Sequence, residues 1–258
     1  MFYDWHRFFD NIAAIPAYYP PWTAGVSFLP LWLILAVTVL AFVWAAYRQA
    51  NSLASVACAA LCLPLFWTLF LGQLDGLALL GVLALPWGVP LALLKPHIAA
   101  FTLLARKQWA IVGAVFILAT VLIWGLWPLR LFECNTDPAQ WPQDIALGLW
   151  GLPAFAVVAW WLLRPGNKAA RADPYWWMLA GAFMTPRLIP YNLLPLYPAV
   201  ARLPWPWALA VALTSWLPFA ANWVGPWGWY LGWVSVVLLG VGMWVEAQAG
   251  KGNHVDER

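Results

Sequence analysis

Six runs of nearly unbroken apolar residues, approximately 24 to 47, 53 to 71, 77 to 94, 109 to 130, 145 to 163 and 227 to 246, dominate the chain. Each approaches the ~20 residues that a helix rising 1.5 Å per residue needs to cross a hydrocarbon core of about 30 Å. A seventh run, 203 to 221, is interrupted only by prolines near its ends. Of 258 residues 64% are apolar and 9% charged, against roughly 45–50% and about 25% in soluble domains. That surplus excludes disorder. Thirteen Lys and Arg against ten Asp and Glu leave a net charge of +3, too little for a nucleic-acid partner. The sequence therefore predicts an all-α, polytopic transmembrane bundle. Its 23 Trp and 8 Tyr, many at the ends of the runs, suit the headgroup level, where amphipathic rings anchor a span.

Two stretches depart from the simple pattern. Between Tyr175 and Ala201 the residues Pro186, Arg187, Pro190, Pro195 and Pro198 crowd the middle and second half, and interior proline removes a donor and clashes with the preceding turn. A broken helix is predicted there. His97 to Leu104, eight residues after Pro96, is too short to cross and reads as a re-entrant half-helix.

Orientation follows from where Lys and Arg fall, since they favour the cytoplasm. With a single crossing at 175–201, Arg48, Lys95, Arg106, Lys107, Arg164, Lys168 and Arg171 lie inside and six others elsewhere, a 7 to 6 split. Two short crossings meeting near 186–190 bring Arg202, Lys251 and Arg258 inside as well, leaving Arg7, Arg130 and Arg187, a 10 to 3 split. The second threading is adopted, with about eight membrane segments, the N-terminus outside and the C-terminus inside. The chain is then a single domain: an interfacial amphipathic helix at 1–15, in which Phe2, Trp5, Phe9 and Ile12 share a face, membrane segments over 24–246 and a polar tail at 247–258.

In this threading Asp4, Asp10, Asp75, Glu133, Asp137 and Asp144 face outward. The three acids of the 131–144 loop read most simply as solvated side chains. Asp75 sits in Gly72-Gln73-Leu74-Asp75-Gly76, a tight turn that either holds a carboxylate and an amide at the membrane surface for use or is turn chemistry alone. Lys95-Pro96-His97 reads as a positive-inside anchor opening the half-helix, with a ligand role as the alternative. Arg187, between Pro186 and Pro190, either snorkels to the interface or meets an anion, and its five donors suit a phosphate. Tyr191 and Asn192 lie one helical step on. Cys58, Cys62 and Cys134 form neither a disulfide framework nor a metal cluster. No nucleotide loop, His pair at metal spacing or Ser/His/Asp set is present in the sequence, so no metal or cofactor is expected.

Taken in order, Tyr18-Tyr19-Pro20-Pro21-Trp22-Thr23, Gly72-Gln73-Leu74-Asp75, Leu94-Lys95-Pro96 and Thr185-Pro186-Arg187 followed by Tyr191-Asn192-Leu193-Leu194-Pro195-Leu196 resemble the GT-C glycosyltransferases of family 87 over residues 18 to 200. The resemblance implies transfer of a sugar, typically mannose or arabinose, from a polyprenyl-phosphate donor to a lipid-linked or envelope acceptor on the extracytoplasmic side of a bacterial inner membrane. It places Asp4, Asp10 or Asp75 as the catalytic acid, and Gln73, Lys95, Arg187, Tyr191 and Asn192 around the donor. Relative to that family the N-terminal helix and part of the C-terminal region are expected to be missing. The alternatives are a non-catalytic transmembrane subunit that packs on partner helices or lipid, and a carrier of polyprenyl phosphate.

Overall fold

A computed structural model describes residues 5–6, 19–134 and 142–252, and every regular element among them is helical. A 3-10 segment, Pro21–Phe28, leads to Pro30, which has no N–H to offer and opens α1 (Leu31–Gln49). Next come α2 (Leu53–Ala60) and α3 (Leu63–Leu71), bent by 45°. Pro64 follows the bend, and the Leu63 N–H donates to the Ser215 hydroxyl at 2.9 Å, so the interrupted ladder is satisfied from a neighbouring segment.

The run 77–94, expected to cross, instead makes a hairpin of α4 (Asp75–Leu83) and α5 (Val89–Ala92). Nine residues of helix cover only about 13 Å, roughly half of a hydrocarbon core. Pro86 and Pro90 break the ladder, and the two arms meet backbone to backbone: a Cβ on Gly81 would lie 2.1 Å from the Ala92 nitrogen, and one on Gly88 2.1 Å from the Gly81 carbonyl oxygen. Gly81→Ala is therefore expected to cost about 1–3 kcal/mol, because no rotamer change relieves a clash with backbone. Gly25→Ala, with open space around its Cβ, should leave unfolding in SDS titration unchanged.

Next come α6 (Pro96–Ala99) and the 3-10 segment Ala100–Ala105, together a short apolar helix where the half-helix is expected. Then follow α7 (Lys107–Trp124), α8 (Trp127–Cys134), α9 (Leu152–Leu163), α10 (Lys168–Ala172) and α11 (Pro174–Met184). The half-helix runs antiparallel to α11, with the Thr185 hydroxyl on the His97 carbonyl at 3.0 Å and Phe101 filling the space beside Gly181. The stretch 175–201 is broken as its prolines predict: α11 stops at Met184, residues 185–189 are non-helical, and 3-10 turns cover Pro190–Leu193 and Tyr197–Arg202. Its return limb is deeply enclosed, with Leu193, Leu194, Leu196, Tyr197 and Val200 buried. Finally α12 (Trp205–Thr214), α13 (Ala221–Val224) and α14 (Gly232–Gly252) close the bundle. The tail expected from residue 247 thus starts as helix.

Arg202 ties one end together. Its guanidinium meets Asp173 at 2.7 Å and Glu246 at 3.7 Å and donates to the Gln49 side chain. Burial works against the charge, but the two carboxylates outweigh it and hold the Arg202 pKa above its ordinary value. Arg202 therefore returns to the end where α11 begins, as the two-piece reading of 175–201 requires.

Four helical stretches are long and apolar enough to cross a membrane, Leu31–Gln49, Lys107–Trp124, Trp205–Val224 and Pro226–Ala249, and the bent pair Leu53–Leu71 makes a fifth. Gly148–Leu163 is apolar but shorter. Trp32, Trp87, Leu122, Trp150 and Trp223 are exposed, large apolar side chains of the kind that soluble domains mostly bury.

Candidate functional site

At the end opposite Arg202, Gly72 closes α3 with φ +72°, and the Gly72 and Gln73 N–H groups both donate to the Thr68 carbonyl at 3.0 Å. Glycine is required there because a Cβ disfavours the left-handed conformation. The reversal aims Gln73 and Asp75 inward. Gly76 packs on Thr38 in the interior of α1, so Asp75 is sunk within the bundle, not displayed at a surface turn.

The α4–α5 hairpin brings Lys95 back to Asp75. This corrects the placement of Lys95 on the opposite, Arg-rich face: its ammonium lies 2.8 Å from Asp75 Oδ2, with Asp75 2% and Lys95 5% exposed. Two charges removed from water are tolerable only when their remaining hydrogen-bonding capacity is met. Here Lys95 also donates to Gln73 Oε1, which accepts a second bond from the Tyr19 hydroxyl at 3.2 Å. Asn192 Nδ2 donates to Asp75 Oδ1 at 3.3 Å, while Asn192 Oδ1 accepts from the Ile189 N–H at 3.0 Å. The Tyr191 ring centroid lies 4.4 Å from the Lys95 ammonium, within cation–π range. Gln73, Asp75, Lys95, Tyr191 and Asn192 thus form one cluster although they span 73 to 192 in sequence.

A cavity of about 1130 Å³ opens beside it. Tyr19, Lys95, His97, Asp144, Thr185 and Arg187 supply its polar lining, and Phe101, Ile117, Trp127, Leu152 and Trp227 are among its apolar walls. Asp75 and Gln73 are not part of the lining; they stand behind Lys95 and hold its ammonium in position. The Nδ1 of His97 is buried and has no hydrogen-bond partner among the described residues. Asp4 and Asp10 lie outside the described residues. Trp5, which is described, packs with Tyr19, Ile34, Leu74 and Leu94 next to the cluster.

Three lining residues carry more weight than their sequence context implied. Asp144, read as a solvated loop acid, accepts at Oδ1 from the Ala146 N–H at 2.9 Å and the Leu188 N–H at 2.8 Å. His97 follows Lys95 through Pro96, so its place in the cavity comes with the hairpin. Thr185 caps α11 by donating to the Gly181 carbonyl at 2.8 Å and so starts the extended run that carries Arg187. The bond to Ala146 is a local Asx-turn, since Asp side chains bond the backbone two residues on, whereas the bond to Leu188 reaches across 44 residues.

Chemically, a cavity that combines apolar walls with a guanidinium, an ammonium and a carboxylate accommodates an amphiphile with a polar head, and guanidinium plus ammonium suit phosphate oxygens. Among the described residues no group of His, Cys, Asp and Glu is arranged to hold a metal ion. No family model, curated protein or solved structure matches the chain.

Proposed function

We propose that the protein is a GT-C-like membrane glycosyltransferase that takes a sugar from a polyprenyl-phosphate donor and passes it to a lipid-linked or envelope acceptor on the extracytoplasmic face of a bacterial inner membrane. The observation that carries this reading is the joining of Lys95 and Arg187 to apolar walls in one cavity. The phosphate would sit beside Arg187 and Lys95, whose N–H groups suit phosphate oxygens, and the isoprenoid chain would lie against the walls. As the anomeric carbon–oxygen bond breaks, negative charge grows on the departing phosphate, and Arg187 would neutralise it. Orientation is supported by Arg48, Arg164, Lys168, Arg171 and Arg202, which belong to the end of the bundle away from the cavity; positive residues mark the cytoplasmic side.

The second reading is a non-catalytic subunit of the same ancestry that binds the isoprenoid phosphate alone or with a partner membrane protein. It is favoured by Asp75, whose two carboxylate oxygens are engaged by Lys95 and Asn192, leaving that acid unavailable for proton transfer. A transfer assay separates the two. Protein in liposomes, given a radiolabelled polyprenyl-phospho-mannose or polyprenyl-phospho-arabinose and a hydroxyl acceptor, should form a labelled glycoside. Donor binding without transfer would select the subunit reading, and failure to bind the donor would reject both.

A further inference from the structure

We infer that Asp144 is the proton acceptor of the transfer reaction. The inference rests on the glycosyltransferase reading and assigns a role that Asp75 is not placed to fill. Asp144 lines the cavity together with Arg187 and Lys95. Its two oxygens are in different situations. Oδ1 accepts the Leu188 and Ala146 N–H groups at 2.8 and 2.9 Å, which fixes the plane of the carboxylate. Oδ2 makes no hydrogen bond to a described residue, so it is the oxygen left to a ligand.

The surrounding backbone makes this placement rigid. The Ile145 N–H donates to the Leu188 carbonyl at 2.7 Å, so Leu188 is bound through both its N–H and its C=O to residues 144–145. The Ile145 carbonyl in turn accepts from the Trp233 indole at 2.8 Å, anchoring the loop to α14. Leu188 follows Arg187 directly, so the carboxylate and the phosphate-binding cation are held in one hydrogen-bonded unit. Such fixed relative placement is what a displacement between a phosphate and a hydroxyl needs.

The step balances with the two substrates already named. The acceptor hydroxyl oxygen forms a bond to the anomeric carbon, the bond from that carbon to the phosphate oxygen breaks, and the electron pair leaves with the polyprenyl phosphate. The hydroxyl proton passes to Asp144 Oδ2. No oxidant, reductant or metal enters the balance.

Asp144→Asn is the test, because the amide oxygen can still accept from Leu188 and Ala146 while the basic oxygen is replaced. In the liposome assay it should lower transfer by about 100-fold or more, the usual worth of a general base. The dissociation constant for polyprenyl phosphate should stay within about threefold of the wild type by the same criterion of an unused ground-state contact. Asp144→Glu, which keeps a carboxylate, should transfer faster than Asp144→Asn and retain the acid limb of the pH profile that Asp144→Asn loses. Transfer by Asp144→Asn near the wild-type rate overturns the assignment, as does an equal loss of donor binding and transfer, which marks a positioning role only. If Asp144→Asn does not fold, a folded Asp144→Glu with a wild-type pH profile supports the assignment and one with a pH-independent residual rate overturns it. Wild-type protein without transfer activity would instead remove the glycosyltransferase reading, and this inference with it.

Discussion

Lys95→Met should destabilise the protein by about 3–5 kcal/mol, the cost of stranding a buried charge by deleting its partner. The substitution keeps most of the side-chain volume, so lost packing contributes little. It leaves Asp75, 2% exposed, with Asn192 at 3.3 Å in place of an ammonium at 2.8 Å. Asp75→Asn combined with Lys95→Met removes the stranded charge and should recover more than half of the loss. Unfolding in SDS titration of the two single variants and the double variant supplies the coupling energy directly. Additive losses would mean that the pair is solvated and that the α4–α5 hairpin does not return Lys95 to Asp75.

Arg187→Ala should weaken binding of a polyprenyl phosphate by about tenfold to a hundredfold, the equivalent of ~1.5–3 kcal/mol for a charge-assisted hydrogen bond to an anion. Arg48→Ala, an exposed cation at the far end of α1, should leave binding unchanged. Titration of both variants with a fluorescent polyprenyl phosphate in detergent micelles makes the comparison under one ionic condition. Equal responses would detach Arg187 from the donor site and return it to the role of an interfacial anchor.

Much of the bundle is legible in the sequence because two strong local signals act there. Apolar runs of span length give α1, α7 and α14 directly, and the prolines between Pro186 and Pro198 give the break in 175–201. The hairpin at 75–95 is not legible from hydropathy, since eighteen apolar residues look alike whether they cross once or enter and return. The distinguishing marks are small: Gly81 and Gly88 let two backbones touch, and Pro86 and Pro90 stop the helix from continuing. Missing that reversal puts Lys95 at the wrong end and hides its ion pair with Asp75. The site shows the same division. Gln73 and Asp75 stand out because Gly72 forces a turn in front of them, and Arg187 stands out as a cation within apolar surroundings. Asp144 does not, because what fixes it is the Leu188 backbone, 44 residues later, a relation that no local pattern encodes.

On the reading proposed above, the cavity beside Lys95 and Arg187 receives the phosphate of an isoprenoid lipid. Equilibrium binding of a polyprenyl phosphate and of the corresponding polyprenol, which share the chain and differ only in the head, isolates the contribution of the phosphate. The phosphate should bind at least about tenfold more tightly, the lower bound for one charge-assisted contact, and Arg187→Ala should erase most of the difference. Equal affinity for the two lipids, with or without Arg187, would contradict that reading.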